Sequence, residues 1–396
     1  MQESRNSPVN PLPRPDQAAL EHSQRLIDRI ATVISDSGPV SFADYMQMAL
    51  YEPGLGYYSG GSRKFGDAGD FTTAPELSAI FSHCLARQVR QILPCLDQPG
   101  ILEAGPGSGV MAGDLLAWLQ DRDCLPEYYY LLEVSADLRQ RQQQLLLEKI
   151  PQLHDRLHWL EQLPGKCFNG IILANEVLDA LPARRVISEH GQWFELCVGQ
   201  KDGRFCWVIQ PPDKELQHAV DSRLPDAASL PEAYVTEINL QLEPWLHTMA
   251  DVMERGLLLF IDYGYGRREY YHPQRTQGTL LCHYRHQVHS DPFLYPGLQD
   301  ITTSVDFTAV AEAAVAAGLD VRGYTTQAHF LLNSGLEESL QQMHLLHTAD
   351  RVELSAAVRK LTMPGEMGER FKVIALAKNL DISLAGFQAF DQRQHL

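Results

Sequence analysis

The stretch that decides the fold is Glu103-Ala-Gly-Pro-Gly-Ser-Gly109. It follows a short apolar run, Gly100–Ala104, and precedes residues with helical spacing that reach Trp118. Three glycines between a strand and a helix allow a tight turn and let a ligand approach the backbone closely. The first turn of the helix then presents free N–H groups and the positive end of its dipole. The stretch therefore predicts a small-molecule site at the edge of a parallel sheet.

Strands and helices alternate on both sides of this turn. Further strands are predicted at 128–133, 157–160, 170–174, 256–262, 319–324 and 371–377, and helices at 136–149, 238–254 and 306–317. This alternation predicts an α/β fold in which helices cover both faces of the sheet. Residues 183–209 have the pattern of antiparallel hairpins, and the polar, proline-rich stretch 210–232 is interpreted as a linker.

The predicted organisation is one core with additions rather than two independent domains. Its parts are a disordered tail (1–17), an N-terminal helical and loop segment (18–95), the core (96–380) with insertions at about 183–235 and 263–304, and a C-terminal tail (381–396). The glycine-rich loop 51–75 is long for a compact domain, and such loops are often functional.

The composition narrows the range of partners. The 396 residues contain 33 Lys and Arg against 50 Asp and Glu, a formal net charge of −17. A nucleic-acid partner is disfavoured because contacts with phosphates need a basic surface. A basic peptide or a cation fits the charge, although an acidic surface can equally serve solubility.

Cysteine usage and apolar runs predict the compartment. The seven cysteines are scattered and form no CxxC pair, which is typical of a reducing environment. No apolar run approaches the ~20 residues that cross a bilayer, and the N-terminus lacks the apolar core of a secretory signal. We therefore expect a soluble protein of the bacterial cytoplasm with no membrane span.

Two acidic residues help to identify the ligand of the glycine turn. Glu103 lies two residues before the first glycine, where a carboxylate suits the ammonium group of an amino acid better than a pyrophosphate. Glu133 ends the next strand and can accept both hydroxyls of a ribose. Together they favour S-adenosylmethionine (SAM). Residues 107–112 also satisfy the dinucleotide pattern GxGxx[GA], so NAD remains an alternative.

A second polar cluster follows the strand at 170–174. Asn175, Glu176 and Asp179 lie at the carboxyl end of this strand, where parallel sheets bind their ligands. Two carboxylates three residues apart share a face if the chain is helical there, and they could hold a guanidinium. The alternative is that Asn175 caps a following helix and Asp179 lies in its first turn.

The insertion 263–304 is rich in tyrosine and histidine. His283, His286 and His289 follow each other at three-residue spacing, but no strong partner ligand accompanies them, so no metal site is predicted. The segment is interpreted as a lid or substrate groove, or as a loop that packs its rings onto the core.

Several further segments carry a family resemblance: Gly38–Met46, Pro53–Tyr58, Gly69–Glu76, Glu103–Gly109, Ala174–Pro182, Ile261–Gly264, Gly278–Leu280, Gln299–Thr302, Val305–Phe307 and Gly365–Lys372. On these segments the sequence resembles the MidA-like (DUF185) family of SAM-dependent methyltransferases, over about residues 38–378. The family often has aromatic residues where Val177 and Leu178 stand here, so the substrate pocket could differ.

The resemblance implies a class I methyltransferase fold: a Rossmann-like α/β sheet with a helical N-terminal segment and insertions. Its last strand, 371–377, would run antiparallel, and the segment 69–76 would close over the cofactor. With Glu103 and Asn175 from the strand ends, the predicted cofactor-binding residues are Asp70, Phe71, Glu103, Gly105, Gly107, Gly109, Glu133 and Asn175.

The resemblance also implies a reaction. Mitochondrial members are complex I assembly factors that act as protein arginine methyltransferases. The expected substrate is therefore a protein arginine, with a respiratory complex I subunit as a candidate, and Glu176 and Asp179 are the catalytic candidates. Three alternatives stay open: an NAD-dependent oxidoreductase, a non-catalytic SAM-binding assembly factor, and a methyltransferase with a small-molecule acceptor.

Overall fold

The structure is a computed structural model that describes residues 12–60, 72–341 and 347–396. The strands are β1 Gly100–Ala104, β2 Tyr128–Leu132, β3 Leu157–Leu160, β4 Phe168–Asn175, β5 Arg184–Glu189, β6 Gln192–Lys201, β7 Arg204–Gln210, β8 Tyr234–Ile238, β9 Met253–Tyr265, β10 Leu281–Tyr284, β11 Gln287–His289, β12 Asp300–Thr302, β13 Val305–Asp306, β14 Asp320–Thr326 and β15 Phe371–Lys378. The helices are α1 Gln17–Ser37, α2 Phe42–Tyr51, α3 Ala74–Leu77, α4 Ala79–Ile92, α5 Val110–Gln120, α6 Ala136–Lys149, α7 Lys214–Arg223, α8 Leu242–Val252, α9 Arg267–Tyr270, α10 Phe307–Ala316, α11 Gln327–Asn333, α12 Leu336–Gln341, α13 Thr348–Thr362 and α14 Met367–Arg370.

A central sheet with the strand order β14-β15-β9-β4-β1-β2-β3 organises the molecule. β4 lies in the middle and pairs in parallel with β1 and β9, and β1 pairs in parallel with β2. β15 runs antiparallel to both of its neighbours, which confirms the predicted direction of the last strand. The predicted α/β fold class is confirmed.

Helices bury both faces of this sheet. Along β9, Leu257 and Leu259 belong to one core cluster, and Leu258 and Phe260 belong to the other, because successive side chains point to opposite faces. α4 and α5 pack on the first face, and α8 and α10 pack on the second. A strand buried on both faces becomes a continuous apolar run, which is why β9 is recognisable in the sequence.

The N-terminal helices belong to a third core that they share with both insertions. Leu26 of α1 and Tyr45 of α2 pack with Val198 of β6 and with Ile301 of β12. The backbones of Val40 and Val198 exchange two hydrogen bonds, at 3.0 and 2.8 Å. The N-terminal segment and the insertions therefore form one layer, although more than a hundred residues separate them along the chain.

The first insertion is a folded unit, and the predicted linker at 210–232 is wrong. An antiparallel sheet with the order β7-β6-β5-β8 fills the region, and α7 crosses it. Asp213 caps α7 by accepting a hydrogen bond from the N–H of Leu216 at 2.8 Å. Leu216 and Val220 pack on this sheet, so a short apolar stripe suffices to hold an otherwise polar helix.

The second insertion contains a small antiparallel sheet with the order β11-β10-β12. Its strands have only three or four residues, and β10 and β11 each contain a histidine, so period-two patterning does not reveal them. Elsewhere the predicted boundaries shift: the strand predicted at 256–262 is β9, and the helix predicted at 238–254 is the shorter α8.

The N-terminal helix has a capped start, and the C-terminal segment packs on the core. α1 begins at Gln17, where Asp16 accepts a hydrogen bond from the N–H of Ala19 at 2.8 Å. Past β15, Leu384 and Phe387 are buried in the first core cluster, so the C-terminal segment packs against the body. Within the three described ranges, no helix combines the length and the apolar character needed to cross a bilayer.

Candidate functional site

A cavity of about 870 Å³ lies at the carboxyl edge of the central sheet. The ends of four strands line it: Glu103 and Ala104 of β1, Leu132 of β2 with Glu133 after it, Asn175 of β4, and Tyr263–Tyr265 of β9. The N-terminal segment and the second insertion complete the wall, with Tyr58 and Asp300 among their residues. This is the edge at which parallel α/β sheets bind ligands.

The glycine turn has the backbone geometry that its sequence predicts. Gly105, Gly107 and Gly109 have φ angles of 63°, 56° and 85°, in the left-handed region that favours glycine. A Cβ on Gly105 would lie 3.0 Å from Cγ2 of Val177. α5 begins directly after Gly109. The backbone is therefore open to a ligand at the start of a helix.

Glu133 is held in place at the end of β2 instead of being solvated. Its Oε1 accepts a hydrogen bond from the N–H of Ser135 at 2.8 Å, and its Oε2 accepts one from Nε2 of Gln142 at 3.2 Å. The same Gln142 Nε2 donates to the carbonyl of Gly107 at 2.9 Å, and Trp159 donates to Oε1 of Gln142 at 3.0 Å. Gln142 thus joins the glycine turn to the acidic strand end.

Sequence reasoning missed Gln142. It is one of three consecutive glutamines in α6, and only this one is buried. Its only signal in the sequence is that a polar residue stands at helical spacing between apolar residues, on the side of the helix that is buried.

Glu103 is almost fully buried, and its Oε2 accepts a hydrogen bond from the hydroxyl of Tyr129 at 2.6 Å. Burial raises the pKa of Glu103 to about 7, against the opposing effect of the Tyr129 hydroxyl. A cation bound beside it would favour the carboxylate form. This environment fits the predicted role of Glu103 opposite an ammonium group.

Asn175 is the last residue of β4, and Glu176 and Asp179 follow it in a turn, so the alternative in which Asn175 caps a following helix is wrong. Glu176 has a φ of 54°, which is uncommon outside glycine. Its Oε1 accepts a hydrogen bond from Nδ2 of Asn175 at 3.1 Å, and the backbone of Ala74 also hydrogen-bonds to its carboxylate. The turn brings both acids to the cavity wall.

These two acids are strongly perturbed. Burial, with the neighbouring Asp179 second, raises the pKa of Glu176 to about 8. Burial also raises the pKa of Asp179, and the Tyr263 hydroxyl opposes that rise. Within the described residues, Oδ1 of Asp179 and Oδ1 of Asn175 are buried and accept no hydrogen bond. Buried acceptors without donors at a cavity wall fit a ligand that brings donors.

Residues distant in sequence complete this end of the cavity. The Tyr58 hydroxyl donates to Oδ1 of Asp300 at 3.0 Å, and the Tyr51 hydroxyl donates to the carbonyl of Ala180 at 3.0 Å. The rings of Tyr51 and Tyr58 stack with centroids 5.5 Å apart. Neither tyrosine nor Asp300 is among the predicted site residues, because a single sequence does not show which side chains a third core brings to the sheet.

Two predicted cofactor-binding residues, Asp70 and Phe71, lie outside the described residues. The described residues continue from Thr72. Thr72, Thr73 and Pro75 line the cavity.

His283 and His289 of the second insertion lie on the paired strands β10 and β11. His283 lines the cavity, and burial lowers its pKa to about 4. In the part of the chain that the structure describes, no group of three or more His, Cys, Asp or Glu side chains is arranged to hold a metal ion.

Fold and cavity together define a class of protein: a methyltransferase that uses S-adenosyl-L-methionine. Residues 84–325 match the model of a family of S-adenosyl-L-methionine-dependent methyltransferases, and the chain belongs to this family. The predicted cofactor is thereby confirmed, and the oxidoreductase alternative is set aside.

Solved and curated proteins resemble the chain over most of its length. A COG1565 superfamily protein from Burkholderia thailandensis, solved with S-adenosyl-homocysteine bound, is 40% identical, with a TM-score of 0.91, and the match covers 97% of this chain and 100% of that one. Mitochondrial protein arginine methyltransferases named NDUFAF7 are more distant. The Danio rerio protein is 28% identical over 89% of this chain and 87% of its own length, and the Drosophila melanogaster homologue is 27% identical over 89% and 84%.

The cavity residues fit SAM. The three glycines give the turn a backbone without side chains, Glu133 is fixed where a ribose would bind, and Glu103 suits an ammonium. Oδ1 of Asn175, which has no hydrogen-bond partner among the described residues, adds an acceptor to the cavity wall.

Proposed function

We propose that this chain transfers the methyl group of SAM to a guanidinium nitrogen of an arginine in a protein substrate. The observation that carries the proposal is the pair of the half-buried Glu176 and the buried Asp179, which lines the same cavity as the glycine turn. The names of the mitochondrial relatives, all protein arginine methyltransferases, support the same acceptor.

The residues of the cofactor end have separable roles in this proposal. The turn at Gly105, Gly107 and Gly109 gives SAM close access to the backbone, Glu133 accepts the ribose hydroxyls, and Glu103 faces the ammonium. Asn175 lies between this end and the acid pair. Asp70 and Phe71 remain predictions for the same end. When bound, SAM supplies a methyl group on a positively charged sulfur, which is already a good leaving group.

The acid pair orients the acceptor. Arginine is a poor nucleophile because its lone pairs are delocalised and its pKa exceeds ~12. Carboxylates on one side of the guanidinium hold it by paired hydrogen bonds and leave one nitrogen to attack. With a pKa of about 8, Glu176 keeps its proton at neutral pH in the absence of a cation. The entering guanidinium favours loss of that proton, so acceptor binding and ionisation of Glu176 are coupled.

The protein substrate can be proposed more specifically than the chemistry of the site alone allows. The resemblance to mitochondrial assembly factors makes a respiratory complex I subunit the candidate substrate, and the absence of a basic excess in the composition argues against nucleic acid. We place the reaction in the bacterial cytoplasm, as the cysteine usage indicates.

The experiment is to incubate the purified protein with methyl-labelled SAM and an extract of cells that lack it, and then to identify the labelled residue by mass spectrometry. We expect label on an arginine of a protein, and an initial rate of labelling about 100-fold lower with Glu176→Gln. Label on a small molecule, or on another residue type, would overturn the arginine assignment.

The non-catalytic alternative needs its own measurement. Gly107→Val is expected to abolish SAM binding, since a branched residue at a φ of 56° is strained. If assembly of the partner complex proceeds normally with this variant, the chain acts as a binding factor and the proposal fails.

A further inference from the structure

Asp262, at the carboxyl end of β9, stands behind the wall of the cavity and is 1% exposed. Its Oδ2 accepts hydrogen bonds from three consecutive backbone N–H groups, those of Val177 at 3.2 Å, Leu178 at 2.9 Å and Asp179 at 3.1 Å. Its Oδ1 accepts one from the N–H of Tyr263 at 2.9 Å. One carboxylate therefore gathers the backbone of the turn that carries the acid pair.

This turn needs external support. Glu176 has a φ of 54°, and residues that are not glycine remain in that region only where the surroundings hold them. The N–H of Glu176 donates to the carbonyl of Ile261 at 2.9 Å, next to Asp262. The end of β9 therefore accepts a hydrogen bond from every backbone N–H between Glu176 and Asp179, a segment that is not helical.

The hydrogen bonds also bear on the charge of Asp262. An ionised carboxylate only accepts hydrogen bonds and has about four sites for them, and four N–H donors surround this one. Burial, then Asp179 and then Glu176, raise the pKa of Asp262, while the backbone N–H groups oppose that rise. Successive N–H groups that converge on one point form an anion-binding nest.

Other charges near Asp262 are few among the described residues. Lys372 of β15 stands opposite it in the sheet register, and its Nζ donates to the carbonyl of Glu369. Its pKa is lowered by burial, against Glu269 and Glu369. The carboxyl groups that raise the pKa of Asp262 are those of Asp179 and Glu176.

We propose that Asp262 is a positioning residue whose carboxylate shapes the turn from Glu176 to Asp179 and sets how readily the two acids ionise. It acts through the turn, since it does not itself line the cavity. The inference rests on the proposed function, in which this pair binds the acceptor cation. Two properties of the pair, its placement and its charge, are then controlled by one group outside the site.

The test compares Asp262→Asn with Asp262→Glu, using the residue labelled in the extract experiment as the acceptor. Asparagine removes the charge and turns an NH2 toward an N–H donor, so we expect a roughly 100-fold fall in kcat. Binding of S-adenosyl-homocysteine, measured by calorimetry, should stay within about twofold, because Asp262 accepts its hydrogen bonds from the acid-bearing turn and from Tyr263 and not from the glycine turn. Glutamate keeps the charge but misplaces it, so kcat should fall comparably.

The pH profile separates positioning from a merely structural role. Without the charge of Asp262, Glu176 loses its proton at lower pH, so the acidic limb of kcat/KM should move to lower pH in Asp262→Asn. In Asp262→Glu the limb should stay where it is in the unaltered protein. A rate loss in Asp262→Asn with an unmoved limb, or an unaltered rate in either folded variant, would overturn the inference.

Hydrogen exchange gives a measurement that needs no acceptor. In Asp262→Asn, or in Asp262→Glu if the former does not fold, amides of residues 177–179 should exchange at least tenfold faster, while those of 110–120 should be unchanged. Equal protection in the turn would contradict the inference even if arginine is the acceptor. A faster-exchanging turn with a different labelled residue would refute only the proposed function.

Discussion

At the cofactor end of the cavity, Glu133 accepts hydrogen bonds from Ser135 and Gln142, and Glu103 accepts one from Tyr129. At the acceptor end, an oxygen of Asp179 accepts none within the described residues, and the pKa of Glu176 is raised to about 8. The first end is complete before its ligand arrives. In the proposed function a cation completes the second end, so we expect that binding of the cofactor and binding of the acceptor can be damaged separately.

The largest expected effect is on the cofactor end. In Gly107→Val, a branched side chain at a φ of 56° distorts the turn, so the affinity for S-adenosyl-homocysteine should fall at least 100-fold by titration calorimetry. Gly165→Val is the matched control, because a Cβ there would meet no atom within 4 Å. Normal affinity in Gly107→Val would show that the turn is not the cofactor site.

Next comes the acceptor end. Glu176→Gln should lower kcat by about 100-fold through lost orientation of the acceptor, while the affinity for S-adenosyl-homocysteine stays within twofold. Glu161→Gln serves as control, since that carboxylate is 67% exposed and pairs with Arg139 at the surface. Full activity of Glu176→Gln would remove Glu176 from the mechanism. A large loss of cofactor affinity would show that the cofactor end and the acceptor end of the cavity are not independent.

A smaller effect is expected from the residue that links the turn to the acidic strand end. Gln142→Ala removes the hydrogen bonds to Gly107 and Glu133, so the affinity for S-adenosyl-homocysteine should fall roughly tenfold. Gln144→Ala, on the exposed side of the same helix, should leave it unchanged. If both variants bind equally well, the cofactor end is not held together through Gln142.

The smallest expected effect is on stability. Because the pKa of Glu176 is raised above its unfolded value, the folded protein binds more protons than the unfolded one between about pH 4.5 and 8, and stability falls as the pH rises through that window. Glu176→Gln removes this loss, so its Tm should exceed that of the unaltered protein by about 3 °C at pH 8.5. At pH 4 the two Tm values should agree. A lower Tm for the variant at pH 8.5 would show that the acid pair is stabilised without a cation.

The two ends also differ in how far the sequence predicts them. The cofactor end is built on one short segment, and the positive φ angles of Gly105, Gly107 and Gly109 follow from residue type. Gln142 was not predicted because its partners Gly107 and Glu133 lie outside its helix, and its spacing from apolar residues is a weak signal that does not reveal them.

The acceptor end depends on packing. Glu176 and Asp179 could be predicted from their place after a strand, but not the turn that carries them, because Asp262 holds this turn from another strand. Tyr58 and Asp300 meet only through the third core, which joins segments about 240 residues apart. The short strands of the second insertion and the helix α7 were not predicted for the same reason, since burial by distant partners overrides the local sequence pattern.

The position of β15 has a consequence for how the molecule is made. β15 lies between β9 and β14, so the sheet keeps a gap until residues 371–378 have left the ribosome. The N-terminal helices wait as well, because their partners in the third core reach to Ile301. Segments synthesised first are thus among the last to find their contacts, and until then their apolar faces are exposed in the nascent chain. A chaperone that shields α1 and α2 during synthesis would act at the stage where this chain is most prone to aggregate.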